Sequence, residues 1–517
     1  MRTQSAILAL PLLAALLPAQ GEYDFDKTTP GTLGATLGFR YANAAPNKTL
    51  LFCLSATTGP TPLSQIDPAD PRVLEVGLES ASLWFVTGTG GTGAGTFNLS
   101  VPVDPSLQGA LVHFQTLTAP GTTRLIDQVS NRATVHFGAA GSSATLPSAT
   151  LTTARALMGA FFHRPPGGGR GDVVLAGGGQ GSLLGATGSN VSEIYDFRRM
   201  RVRAGPNLST ARALSVAVPL ADGRVLIAGG VDATGAALAS AEIYDPATNA
   251  FTPTGAMSVA RAGHAGALLG NGRVMVVGGT TTFSDPIAAL ANAQSSAETY
   301  NPATGTWSAA PAMNARRLAP SLDALKDGRA LVSGGFQVNV VLGFPIPVGS
   351  VATCQVFSTV TNAWAAAASM PTDRAVHSLN TVLLGDGKLL VTGGARSGPD
   401  LTQAAATDRC DLYDPAANAW TPLPSLPSAR TGHSASLLPD GRVVLAGGAQ
   451  GTLTAPVAIA AVDVYLPGPR TFQARPALQT TRSGHAAFVT PDGLLVLAGG
   501  AGGAGNTTLA SFETIHP

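Results

Sequence analysis

Seven arginines recur along the later part of this 517-residue chain: Arg155, Arg212, Arg261, Arg317, Arg374, Arg430 and Arg482. Four of them are followed three residues later by a histidine: His264, His377, His433 and His485. A set of guanidinium groups suits a carboxylate or a polar glycan, because each planar fork can donate two parallel hydrogen bonds. The competing reading is structural: the pattern recurs because each repeat needs it, for hydrogen bonds to a neighbouring repeat's backbone. Four imidazoles would also suit a metal, yet no carboxylate accompanies them at fixed spacing, so no metal centre is expected.

The residues around these arginines repeat as well. PDGRVVLAGG (Pro439–Gly448) has close relatives ending at Gly230, Gly279, Gly335, Gly394 and Gly500, and a looser one ending at Gly179. Asp-Gly or Asn-Gly follows most of the arginines by ten residues; after Arg374 the gap to Asp386-Gly387 is twelve. Asp-Gly between apolar runs predicts a type I′ hairpin turn. The run before the turn is taken as strand a and the run after it as strand b. The Gly-Gly pair closes strand b where no Cβ is tolerated. A variable segment follows, then AEIYDP or a relative as strand c. A second large residue comes seven positions after its aromatic, on strand d, as in Tyr300/Trp307, Phe357/Trp364 and Tyr413/Trp420.

Four strands every ~50–60 residues with Gly-Gly, Tyr and Trp marks resemble the kelch repeat. The resemblance implies a β-propeller whose blades pack face to face. There are seven Gly-Gly units, and the last stops at SFETIHP (Ser511–Pro517), which aligns with strand c. SATLPSATLTTAR (Ser143–Arg155) has the offsets of a lone strand d. It is expected to pair with the final strand c and close a seven-bladed ring over residues 142–517. In such a ring the short a–b turns lie on one face, and the b–c loops and d–a connections on the other. The variable b–c loops are the expected place for function. The fourth, FQVNVVLGFPIPVGSVAT (Phe336–Thr353), is unusually apolar; a contact patch and packing against the N-terminal domain are both open. In kelch propellers that bind peptides, arginines at the repeated position can line the mouth. The resemblance therefore makes the seven arginines and four histidines the candidate binding residues.

Residues 22–141 contain no copy of the repeat. Strand-like runs at Thr49–Ser55, Arg72–Val86, Gly95–Val103, Ala110–Thr118 and Ala133–Phe137 predict a β-sandwich. The fold class is therefore all-β: a sandwich followed by a propeller. Residues 1–21 read as a signal peptide, with Arg2, the apolar run Ala6–Leu17 and the small residues of Ala19-Gln20-Gly21. No later apolar segment suits a transmembrane helix. A secreted or extracytoplasmic protein is expected, with no membrane insertion after cleavage. Formal net charge is +1 and charged residues make up 12%, so the basic footprint that nucleic acid requires is missing. The three cysteines, Cys53, Cys354 and Cys410, are read as small buried side chains. Cys354 and Cys410 occupy equivalent places in neighbouring repeats, too far apart for a disulfide.

No GxSxG, HExxH or P-loop is present. Galactose oxidase is a secreted kelch propeller, but the Tyr, His and cross-linking Cys of its copper site have no counterpart in this pattern. No cofactor is expected. The sequence reads as a secreted binding protein that recognises a glycan or an extracellular protein. The alternatives are an extracellular carbohydrate-active or oxidative enzyme with a site built from loops, and a structural cell-surface protein.

Overall fold

A computed structural model of the chain describes residues 23–517 except 66–67, 69, 78–82, 123, 164–171, 181–185, 284, 343 and 503–506. The signal segment lies outside the described residues. Contacts divide the chain into two units. The first holds residues up to Thr28, Thr36–Ser100 and Leu111–His136; the second holds Thr29–Ala35, Val101–Ala110 and Phe137–Pro517. The division thus falls at Phe137, ahead of the boundary at 141 that the repeat pattern marks. It also assigns two short N-terminal segments to the second unit.

In the first unit, strands Asp24–Lys27, Thr36–Ala42 and Gly95–Ser100 form one antiparallel sheet. Thr49–Ser55 lies between Leu111–Ala119 and Leu83–Gly88 in a second. Phe25, Phe39 and Phe97 of the first sheet meet Phe52 and Phe114 of the second, with ring centroids 4.1–5.7 Å apart. Alternation along each strand sends these rings to one face, and burying them holds the two layers together.

The second unit contains seven four-stranded antiparallel sheets, counted among the described residues. The sixth shows the pattern, with strands a to d at Ser434–Leu437, Val443–Ala446, Val462–Leu466 and Thr471–Arg475. In the seventh, strands a to c are Ala486–Val489, Leu495–Ala498 and Ser511–Ile515, and strand d is supplied by Ser143–Thr150. Ser143 pairs with Ile515 and Thr145 with Glu513, so a strand from before the first blade completes the last.

Strand b of each blade is buried throughout and apolar apart from the hydroxyls of Ser333 and Thr392, because both of its faces are covered. The strand-c tyrosines lie between blades: Tyr300 packs with Val274 and Trp307 of its own sheet against Val218 and Ile243 of the blade before. Tyr195 of the first blade sits against Phe488 and Phe512 of the seventh. The tryptophans of strand d donate backward in the ring, Trp307 to the Gly255 carbonyl (2.8 Å), Trp364 to Pro311 (2.8 Å) and Trp420 to Ala368 (2.9 Å).

The a–b turns differ from the type I′ expectation. Gly441 has φ +87°, while Asp440 is not among the residues at positive φ. The Gly441 amide donates to the Leu438 carbonyl (3.0 Å), and the Leu438 amide to Arg442 (2.8 Å). This is a type I turn closed by a left-handed glycine, the three-residue hairpin loop. The Asp440 carboxylate accepts from the Arg442 amide and side chain, which stabilises that alternative.

Candidate functional site

Each repeated arginine enters its blade just ahead of strand a. All seven side chains are fully buried. Arg212 shows why: it donates to the carbonyls of Gly229 (3.0 Å) and Ser240 (3.1 Å), and to Glu242 on strand c (2.8 Å). Glu242 in turn accepts the backbone N–H of Ser209 (2.7 Å) and Thr210 (3.2 Å), in the connection that delivers the chain from the previous blade. Arg261 with Glu298 and Arg482 with Glu513 repeat the arrangement. Arg155 faces Glu193, Arg374 faces Asp411 and Arg430 faces Asp463. Burial pulls the guanidinium pKa of Arg212 and Arg261 down, and the facing carboxylate holds it up.

The arginine carbonyls close the circle. The second glycine of each Gly-Gly pair donates to the arginine carbonyl of the following blade, as Gly230 does to Arg261 (2.8 Å) and Gly448 to Arg482 (2.8 Å). Gly500 of the seventh blade donates to Arg155 (3.0 Å). A Cβ on the first glycine would sit 2.2–2.7 Å from that carbonyl in all seven cases. The pair is therefore glycine because two backbones meet there. The expected ring of ligand-facing guanidinium groups is corrected by this geometry: the arginines are enclosed between strands and carry the framework.

The four histidines also sit between blades. Nε2 of His377 is 3.0 Å from Ser333 Oγ, and Nε2 of His433 is 3.0 Å from Thr392 Oγ1; each hydroxyl ends strand b of the preceding blade. His485 uses Ser434 Oγ instead (3.0 Å). His264 faces Ala228 at that position, which has no hydroxyl. The Ala228 backbone lies beside the ring, and no side chain bonds to either ring nitrogen of His264. Burial, then the neighbouring arginine, holds the pKa of His264, His377 and His485 down to about 3. The rings are neutral at any physiological pH. Among the described residues no group of three or more His, Cys, Asp or Glu side chains is placed to hold a metal ion. Cys53, Cys354 and Cys410 are buried and form no disulfide. Burial pushes the thiols of Cys354 and Cys410 up to about 11 and 12.

The mouth on the b–c and d–a side is apolar. A cavity of about 390 Å³ lies at the centre, lined by Leu157, Leu214, Ala319 and Val376, each two residues after its arginine, and by strand-a residues below them. Phe283, Phe336, Leu401 and Leu453 reach it from the b–c loops. His264 and His485 are the titratable groups in its wall. Nothing in the repeat pattern singled out this wall as a site. Its signal was present: the position two residues after the arginine is glycine in three blades and Leu, Ala or Val in the other four.

The fourth b–c loop forms a hairpin, Phe336–Val341 with Phe344–Ser350. Its outer part projects Leu342 (94% exposed), Phe344 (69%) and Val341 (55%) into solvent. The short helix Pro286–Ala291 adjoins the hairpin and adds Ile287 at 78% exposure.

The Kelch motif family matches residues 212–258 and 261–314. A Kelch-like protein, terF, of Aspergillus terreus is 36% identical over 95 residues, which are 18% of this chain and 20% of that protein. The matched stretch thus spans about a fifth of the length of that relative. A fungal alcohol oxidase of the AA5 family, solved in complex with copper, superposes with a TM-score of 0.53 at 16% identity. The superposition covers 73% of this chain and 76% of that one. That likeness is one of fold. The YjhT structure gives a TM-score of 0.45 at 16% identity, over 59% of this chain and 95% of that one.

Proposed function

For this kelch-repeat β-propeller, we propose a role as an extracytoplasmic binding protein that engages a partner protein through the b–c loop face, led by the fourth-blade hairpin. The single observation that carries the reading is the exposed apolar run Val340, Val341, Leu342, Phe344, Ile346 and Val348 on that hairpin. Contiguous exposed apolar surface on a rigid scaffold marks an interaction site more often than it marks stability. Pro345 and Pro347 alternate along the outer strand and lack the N–H that a docking strand would need. The partner is therefore held by side-chain burial and not by strand addition. A protein is favoured over an acidic glycan because the seven guanidinium groups that would grip carboxylates are enclosed. Export is supported by the apolar run Ala6–Leu17 and the small-residue site that follows it.

The test is capture of partners from the envelope and medium of the producing cells by the wild-type chain and by Leu342→Asp/Phe344→Asp. The double variant is expected to lose the specific partner while keeping its thermal midpoint, because both side chains already face water. Retention of the same partner by the double variant would sink the reading. Retention together with binding of uronic or sialic glycans would favour the glycan alternative.

A further inference from the structure

We propose that the central cavity of the second unit binds one small, uncharged and apolar molecule. The cavity measures about 390 Å³, within the ~300–1,000 Å³ of ordinary ligand sites. No Asp, Glu, Lys or Arg side chain lines it.

The backbone at its rim makes the stronger argument. The residue two places after each arginine adopts a left-handed conformation in all seven blades, with φ between +50° and +62°. Gly263, Gly432 and Gly484 occupy it in three blades. Leu157, Leu214, Ala319 and Val376 occupy it in the others, and every one of them lines the cavity. That conformation is uncommon for side-chain-bearing residues and is a marked outlier for a β-branched valine. Glycine satisfies the turn, as three blades show. The four apolar side chains therefore serve the wall of the cavity and are kept against the preference of the backbone.

A second irregularity points to the same place. The two extra residues between Arg374 and Asp386 form a 3-10 turn, Ser378–Asn380, found in no other blade among the described residues. The turn carries Ser378 and Leu379 to the cavity, where Leu379 is 55% exposed. An apolar side chain is thus delivered, by an insertion, to a position with nothing yet packed on it. The ring nitrogens of His264 are enclosed between blades, so the 7% of that residue left exposed adds no accessible nitrogen to the wall. An apolar wall without a charged side chain disfavours an ion.

The experiment titrates the full chain with N-phenyl-1-naphthylamine, an uncharged apolar dye with one N–H, and follows its emission. The expected result is saturation at one equivalent. Leu379→Asp places a charge on an already exposed position, and Ala160→Phe fills the volume from strand a. Each should weaken binding by about tenfold or more, with circular dichroism unchanged. Val348→Asp on the hairpin should leave dye affinity as it is. Failure to saturate, full retention of affinity by Leu379→Asp and Ala160→Phe, or loss in Val348→Asp would overturn the proposal. Partner capture depends on hairpin residues outside the cavity, so the two readings fail separately.

Discussion

Arg317 is the exception among the seven arginines. Gln355 stands where the other blades carry Glu or Asp, and no carboxylate lies within ion-pair distance of Arg317 among the described residues. Its guanidinium is held by the carbonyls of Gly334 and Thr353 (both 2.7 Å) and by Thr353 Oγ1 (2.9 Å). Burial therefore dominates and pulls its pKa down. Gln355→Glu should restore the missing pair and raise stability by about 2 kcal/mol near neutral pH. Chemical denaturation would measure it, and the gain should vanish on acidification as the new carboxylate takes up its proton. The histidines give a second pH-dependent effect. With folded pKa near 3 for His264, His377 and His485, the unfolded chain binds more protons between about pH 6.5 and 3. Their contribution is complete above about pH 6.5 and is lost through that window as the pH falls. Asp323 acts oppositely: burial raises its pKa to about 7, so acidification from there relieves a cost. The thermal midpoint should fall between about pH 6.5 and 4.5, and Asp323→Asn should make the fall steeper. An unchanged slope in that variant would contradict the assignment. At this scale the sequence showed which residues are equivalent but not which way they point. The missed cue was the acid at the second position of strand c, in step with every arginine but one.

The blade element explains why some of its signature is rigid and some is free. Gly447 has φ +62°, and a Cβ there would lie 2.3 Å from the Arg482 carbonyl. Gly441 has φ +87°, and a Cβ there would meet nothing within 4 Å. Gly447→Ala should therefore destabilise by roughly 2–4 kcal/mol, since it must push two blades apart. Gly441→Ala should cost about 1 kcal/mol, the strain of a left-handed alanine alone. Thermal unfolding of the two variants side by side separates the contributions, and equal losses would contradict the blade-to-blade contact. Strand positions were legible because Asp-Gly, Gly-Gly and the aromatics sit at fixed intervals. The turn type was not, because Asp-Gly permits two hairpin geometries and the choice falls to the Asp440–Arg442 interaction. The fourth b–c loop was visible as apolar, yet only the structure shows it as a hairpin with its side chains in water.

At the scale of the molecule, the seventh sheet depends on a strand from 360 or more residues earlier, a pairing read from the offset of Ser143–Thr150 and seen in its register with Ser511–Ile515. The phenylalanine cluster of the first unit was less legible, because irregular strands such as Thr36–Ala42 carry no repeat to count. No helix among the described residues is long and apolar enough to cross a membrane. The ring places two unlike faces at opposite ends of its strands: short Asp-Gly or Asn-Gly turns, described in six blades, at one, the variable loops and the apolar hairpin at the other. The proposed partner binding belongs to the second. A photo-reactive amino acid placed at position 342 on the hairpin, and separately at position 222 in an a–b turn, tests that assignment in the producing cells. One adduct of defined mass from position 342 and none from 222 is the expected result. An adduct from 222, or the same yield from both, would contradict it.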